Sequence, residues 1–267
     1  MTTALTERLL PVPDALRPWI ADIAATAVAG PLPESFTHVP DTATKLVVRV
    51  EDTGRRDTLV IGPRTRASYH ADADKRVVSC VQVRLGPGTV RPLLGAPAVE
   101  LVGHVVPLGA LPTRTARRLA RELVDLGPEE MTARLAEALL DRLAPVADGT
   151  RTRLLRAAVD ALSTRPGRAP ATVRDVARQL AVSERQLRNL FAEGVGLSPK
   201  HYARISRVRH LLTHATDAPW AELAAATGYY DQSHMTSDFR TVMGVPPGSF
   251  FTGRLPAPRP CQAVTRV

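Results

Sequence analysis

Two stretches in the C-terminal half of the chain repeat one another. At an offset of 48 residues, Leu187 falls on Met235, Phe191 on Phe239, Gly196 on Gly244, Leu197 on Val245 and Pro199 on Pro247. At an offset of 47, Val176-Ala177 falls on Leu223-Ala224 and Ala181 on Gly228. The one-residue difference lies in a turn between two helices, where an insertion is tolerated. A repeat restricts the fold strongly, because each copy has to be the same supersecondary unit. The unit reads as a helix with an apolar–Ala pair, a small residue at a turn, a polar cap, a second helix, and then Gly-apolar-x-Pro.

That order is the layout of a helix-turn-helix, here present twice. Two helices that cross steeply need little bulk at their contact, which suits Ala177 and Ala224. The turn needs a small or glycine residue, which suits Ala181 and Gly228. Ser183 caps the first of the second helices, with Gln186 completing a capping box. Asp231 caps the other and faces its positive end. Ser198-Pro199 caps and starts the helix that joins the units. Leu187, Leu190 and Phe191 form the apolar stripe of one second helix, and Met235, Phe239 and Val242 that of the other. This leaves Arg185, Arg188 and Asn189 free on the first, and Gln232, Ser233, His234, Thr236 and Ser237 on the second. Arg matches guanine, Asn and Gln match adenine, and Ser and Thr reach phosphate or base edges. A helix that enters the major groove carries such residues near its amino end.

The charge distribution agrees. The net charge of +9 is uneven. Residues 1–150 hold 18 Lys+Arg against 18 Asp+Glu, while residues 151–255 hold 15 against 8, a net of +7. A neutral half joined to a basic half points to a nucleic-acid module. In the neutral half, "KLVVRV", "DTLVIG" and "RVVSCVQVRL" are short β-branched runs bounded by turn residues and read as strands. "PDALRPWIADIAATAV" fits a short helix or a strand. "TRTARRLARELVDLG" and "GPEEMTARLAEALLDRLA" read as helices, with stripes at Ala116, Leu119, Leu123 and Leu126, and at Met131, Leu135, Leu139 and Leu143. The expected architecture is an α+β domain over residues 1–145, a linker at 146–150, an all-α domain with two helix-turn-helix units over 151–254, and a disordered tail at 255–267. The N-terminus lacks a basic region followed by an apolar core, and no apolar run is long enough to span a membrane, so a cytoplasmic protein is expected.

The residues quoted from 176 to 251 resemble the DNA-binding domain of AraC/XylS-type transcription regulators. The second unit carries the stronger match, in Leu223-Ala224, Gly228-Tyr229, "DQSHM", Phe239-Arg240 and Gly244-x-x-Pro247. The first matches at Val176-Ala177, Ser183, Leu187, Phe191, Gly196 and Ser198-Pro199, and "RISRVRHLL" matches the joining helix. The resemblance implies base contacts from Arg185, Arg188, Asn189, Gln232, Ser233, His234 and Ser237. Backbone contacts are expected from Ser183, Lys200, Arg204, Arg207, Arg209 and Arg240. Ser237 departs from the more basic residue often found in relatives, and Asp238 beside it is acidic, which makes the second helix the weaker base reader. "LVIGPRTRASYH" and "VQVRLGPGTVRPLLGAPAVEL" resemble an uncharacterised N-terminal domain of some such regulators. Sensor domains in the family are often small cupin-like β-barrels, and the strand-like runs are compatible with one. The implied partners are double-stranded DNA and a small-molecule effector at the N-terminal domain, with RNA polymerase and a second copy of the chain as further candidates. No membrane is among them.

Other chemistry is poorly served by the sequence. Asp231, His234 and Asp238 share a helix face, but the cap already accounts for Asp231, and a metal site would want more converging ligands. His38, His70 and His104 include no His-x-His pair and read as ordinary histidines. "GPGT" at 86–89 lacks the Gly-Lys-Ser/Thr ending of a phosphate loop and reads as a turn. Trp220 reads as a core anchor. No nucleophile–base or paired-carboxylate arrangement stands out, so neither an enzyme nor a cofactor is expected. Two alternatives remain open: a repair-methyltransferase-type enzyme fused to this module, for which Cys80 in a β run is a poor nucleophile, and a protein-interaction module.

Overall fold

In the computed structural model, residues 4–29, 35–71, 77–135, 137, 149–165, 168, 170–215 and 219–260 are described. Alternation of apolar and polar residues builds the N-terminal half. Its main sheet is antiparallel, with strand order β1 (Ala4–Leu10), β2 (Ile20–Ala29), β7 (Val77–Leu85), β4 (Lys45–Glu51), β5 (Arg56–Ile61) and β8 (Val105–Pro107). Register places one buried apolar side chain from each strand in a single row: Leu10, Ile23, Val83, Leu46, Val60 and Val106. Such a row fixes the pairing, because a slip of one residue would turn a whole strand inside out. Helices α1 (Val90–Leu94) and α2 (Arg114–Leu123) and a helical stretch α3 (128–135) supply Leu93, Leu94, Leu119, Leu123, Met131 and Leu135 to the same core. Leu139, Leu143 and most of the expected linker lie outside the described residues.

The three expected strands form where they were placed. The stretch from Pro13 resolves as a 3-10 turn at Asp14–Leu16 followed by β2. Three short strands make a second sheet in the order β3 (Ser35–His38), β6 (Ser68–Ala71) and β9 (Arg259–Pro260). The strands are thus divided between a six-stranded and a three-stranded sheet. Strand β9 also corrects the expected extent of the disordered tail. Arg259 and Pro260 pair in parallel with His70 and Ala71, so the chain is ordered past residue 255. Residues 261–267, with Cys261, lie outside the described residues.

The C-terminal half is helical: α4 (Thr150–Leu162), α5 (Val173–Gln179), α6 (Glu184–Gly194), α7 (Pro199–His214), α8 (Trp220–Ala226), α9 (Gln232–Met243) and α10 (Pro247–Phe251). A second core joins Leu155, Val176, Leu187, Phe191, Ile205, Val208, Leu211, Leu223, Met235 and Phe239. Trp220 packs against its edge, 5.4 Å from the Phe251 ring. No described helix is long and apolar enough to cross a membrane.

The two halves meet around a buried carboxylate. Asp41 has a side chain only 7% exposed, and three cations surround it: Arg84 Nη2 at 2.6 Å, Lys45 Nζ at 2.8 Å and Arg209 Nη1 at 3.8 Å. Arg84 and Lys45 come from the sheet, whereas Arg209 comes from α7 and also donates to the Pro40 carbonyl at 2.9 Å. Burial pushes the Asp41 carboxyl up, but Arg84, Lys45 and Arg209 outweigh it and hold it below the ordinary aspartate range. Nearby, the Arg156 guanidinium of α4 lies 4.4 Å from the ring centroid of the buried Trp19.

Removing one partner from a buried ion cluster leaves the others uncompensated. Asp41→Asn should therefore lower stability to urea at pH 7 by about 3 kcal/mol. Because the folded value lies below the unfolded one, the Asp41 contribution is complete above the unfolded pKa of about 3.9 and is lost as pH falls through the folded value. Wild type should thus lose more stability than Asp41→Asn between about pH 5 and pH 2. Parallel acid limbs for the two proteins would contradict the cluster's role.

Candidate nucleic-acid interface

The repeat seen in the sequence is reproduced bond by bond. In the first unit Leu180 N–H donates to Val176 O, Ala181 N–H to Arg178 O and Val182 N–H to Ala177 O, at 3.0, 3.1 and 3.0 Å. In the second, Thr227 donates to Leu223, Gly228 to Ala225 and Tyr229 to Ala224, at 3.0, 3.1 and 2.9 Å. The turn residue is left-handed in both, with φ of 52° at Ala181 and 74° at Gly228. Ala181 is the one non-glycine residue with positive φ among those described. The caps then match at the longer offset. Ser183 Oγ accepts from Gln186 N–H at 3.1 Å, and Asp231 Oδ1 accepts from His234 N–H at 2.7 Å. Gln186 returns the bond to Ser183 N–H at 2.9 Å, completing the expected capping box. The inserted residue is therefore Tyr230, which lies between the two registers and is 94% exposed. Sequence reasoning missed it, although the change of offset from 47 to 48 marks its place.

Burial divides the second helices as expected. Leu187, Phe191, Met235 and Phe239 are fully buried. Arg185, Arg188 and Asn189 are exposed on α6, and Gln232, Ser233, His234 and Ser237 on α9. The His234 ring meets the Tyr229 ring edge-on at 5.3 Å, which orients it. Lys200 and Arg240 are also exposed. Arg185, Arg188, Lys200 and Arg240 make no ion pair among the described residues, whereas Arg151, Arg165, Arg168 and Arg178 nearby are all paired with carboxylates.

The remaining expected phosphate contacts depart from the expectation. Arg204 and Arg207 of α7 turn inward onto Asp238 of α9, with Nε to Oδ1 at 2.7 Å and Nη2 to Oδ2 at 3.3 Å, and Asp238 is buried. Arg209 is engaged by Asp41 and the Pro40 carbonyl. The physical reason is the register. At the offset of 48, Asp238 stands where the first unit has Leu190. A buried carboxylate there requires cations, and α7 supplies two. Asp238, which had no role in the sequence reading, thus ties the second recognition helix to the joining helix. The Arg207 guanidinium also lies 4.8 Å from the ring centroid of Tyr229, whose phenol is pushed up by burial to about 12.

A family model described as a helix-turn-helix domain matches residues 176–253, the span that holds both units. Residues 176–253 are a helix-turn-helix domain. Solved structures similar to the chain include the C-terminal domain of AraT, a response regulator from Geobacillus stearothermophilus, at 23% identity over 41% of this chain and 92% of that one, with a TM-score of 0.36. An AraC-type transcriptional regulator from Chromobacterium violaceum is similar at 28% identity over 38% and 92%, with a TM-score of 0.32. ToxT from Vibrio cholerae is similar at 9% identity over 94% and 98%, with a TM-score of 0.40. No curated protein matches the chain. The domain assignment rests on the family model together with the repeated geometry.

Outside the helix-turn-helix domain, His38 and His70 lie side by side in the small sheet, with ring centroids 5.3 Å apart, and both pack on Phe36. His104 lies elsewhere, its carbonyl accepting from Gly62 N–H. No group of three or more potential metal ligands occurs among the described residues. "GPGT" is a turn that leads into α1.

A left-handed alanine costs about 1–2 kcal/mol relative to a right-handed one, and glycine avoids this at some cost in unfolded-state entropy. Ala181→Gly should therefore raise stability by about 0.5–1 kcal/mol, read as a higher urea midpoint with unchanged slope. A lower midpoint would contradict the equivalence of the two turns.

Proposed function

We propose that the protein is a sequence-specific DNA-binding transcription regulator controlled by a small molecule at its N-terminal domain. The observation that carries the DNA reading is the set of exposed side chains at the second helix of each unit that make no ion pair among the described residues, while Arg151, Arg165, Arg168 and Arg178 of the same domain are paired with carboxylates. In this reading Arg185, Arg188 and Asn189 meet base edges in one major-groove segment. Gln232, Ser233, His234 and Ser237 meet a second segment about one turn, roughly 10 bp, away. Ser183, Lys200 and Arg240 meet the backbone. The division of labour is a sensing domain over 1–145 and a reading domain over 151–254. RNA polymerase and a second copy of the chain are the further partners of a regulator built this way.

A cavity of about 340 Å³ supports control by a small molecule. It lies on the core face of the main sheet, floored by Ala25, Val48, Val50 and Val81 and rimmed by Arg8 and Arg56.

Selection from random DNA tests the base contacts. Arg188→Ala should relax preference at one or two base pairs, by about 1–3 kcal/mol of discrimination if the contact is bidentate to guanine. Unchanged preference would remove Arg188 from the reading surface. The fragment 150–255 should also bind DNA, with an affinity that falls steeply between 50 and 200 mM salt, as counterion release requires. A folded helical fragment with no salt-sensitive DNA binding would contradict the function.

A further inference from the structure

Both recognition helices end against the N-terminal domain. The last carbonyls of a helix have no partner within the helix itself. In α6, Gly194 O accepts from Gly88 N–H at 3.0 Å. In α9, Val242 O accepts from Ala67 N–H at 2.8 Å and Met243 O from the Tyr69 hydroxyl at 2.6 Å. The three donors lie on two segments that are themselves anchored to the main sheet. Gly86, two residues before Gly88, donates to the buried Trp19 carbonyl at 2.6 Å. Arg64 and Asp41 exchange both backbone bonds just before the segment 65–69, at 2.7 and 3.0 Å. The N-terminal domain therefore holds the carboxyl ends of both helices, that of α6 through the turn after β7 and that of α9 through β6 of the second sheet and the residue before it.

We propose that the N-terminal domain sets the distance between the two recognition helices, with Gly88, Ala67 and Tyr69 as positioning residues. It thereby sets the half-site spacing that the protein accepts. This rests on the DNA reading above. The lever is long: α6 and α9 have 11 and 12 residues, or about 17 Å each. A tilt of about 12° at the capped end moves the reading end by about 3.4 Å, one base-pair step. Helix α7 joins the units and holds α9 through Asp238 and the core that Val208 and Leu211 share with Met235 and Phe239. The caps fix the other end. Their effect falls on spacing and not on base identity, because none of the three residues lies near the amino ends that face the groove.

The test uses the full chain and a DNA library in which the two selected half-sites are separated by the native length or by one base pair more or less. Wild type should favour one spacing. Tyr69→Phe removes one cap, and Ala67→Pro removes the other α9 donor. Each should reduce the preference for the native spacing about fivefold, the factor expected for one lost hydrogen bond. Preference within each half-site should stay as in wild type. Circular dichroism shows whether each variant keeps its helices, and if Ala67→Pro does not, Tyr69→Phe decides alone. An unchanged spacing profile in a folded variant overturns the inference while leaving the DNA reading intact. A wild-type protein that enriches no bipartite site overturns both.

Discussion

The joining helix α7 is held by arginine–carboxylate pairs on two sides, and the arrangement of the reading surface depends on them. Arg204 and Arg207 hold Asp238, and so fix α9 to α7. Arg209 reaches Asp41, and so fixes α7 to the sheet. Both carboxylates are buried, and a buried charge persists only where partners and hydrogen bonds surround it. An apolar side chain at 238 would have packed as Leu190 does in the first unit and would have left α7 free to present its arginines outward. The acid at that position therefore decides where two of the fifteen cations in residues 151–255 point. It also explains why a helix with a strongly basic sequence offers so little charge to solvent. Arg185, Arg188, Lys200 and Arg240, exposed and without an ion pair among the described residues, stand on or beside the second helices of the two units.

The repeated unit was legible in the sequence because its determinants are local. A small residue in a left-handed turn, a cap three residues before the backbone N–H it binds, and a buried residue every third or fourth position all lie within about 25 residues of one another. The capping box at Ser183 and the cap at Asp231 followed from the same local chemistry. The roles of Asp238 and α7 were not legible, since the partners are 31 and 34 residues from the acid and on a different helix. A clue lay in the alignment of the two copies, where an acid replaces a leucine of the apolar stripe. In the N-terminal half the valine-rich strands were plain, but β1 was not. "ALTERLL" has helix-forming residues, and it becomes a strand only because Leu10 completes the six-residue row across the sheet. Strand β9 was hidden for a similar reason. Its sequence is proline-rich, and what makes it a strand is the free edge of β6.

The contact between the halves gives the chain a route from its sheet to its reading surface. Asp41 and Trp19 each receive a cation from the helical half, and the turn after β7 and the segment at β6 in turn donate to the ends of α6 and α9. The cavity on the core face of the same sheet shares β4 and β7 with Lys45 and Arg84, the two sheet cations around Asp41. A ligand that altered the pairing of these strands would act on that buried cluster directly.

The central claim is that the three arginines of α7 are engaged inside the protein, so that in the proposed reading DNA meets the second helices of the units and their flanks, including Lys200 at the start of α7. The salt dependence of DNA binding tests it most directly, in a variant that replaces the buried cluster by apolar residues: Asp238→Leu together with Arg204→Met and Arg207→Met. Each phosphate contact contributes about 0.9 to the slope of log affinity against log salt concentration. The account predicts the wild-type slope for the triple variant. A slope shallower by about two would show that Arg204 and Arg207 contact phosphates, and would contradict it.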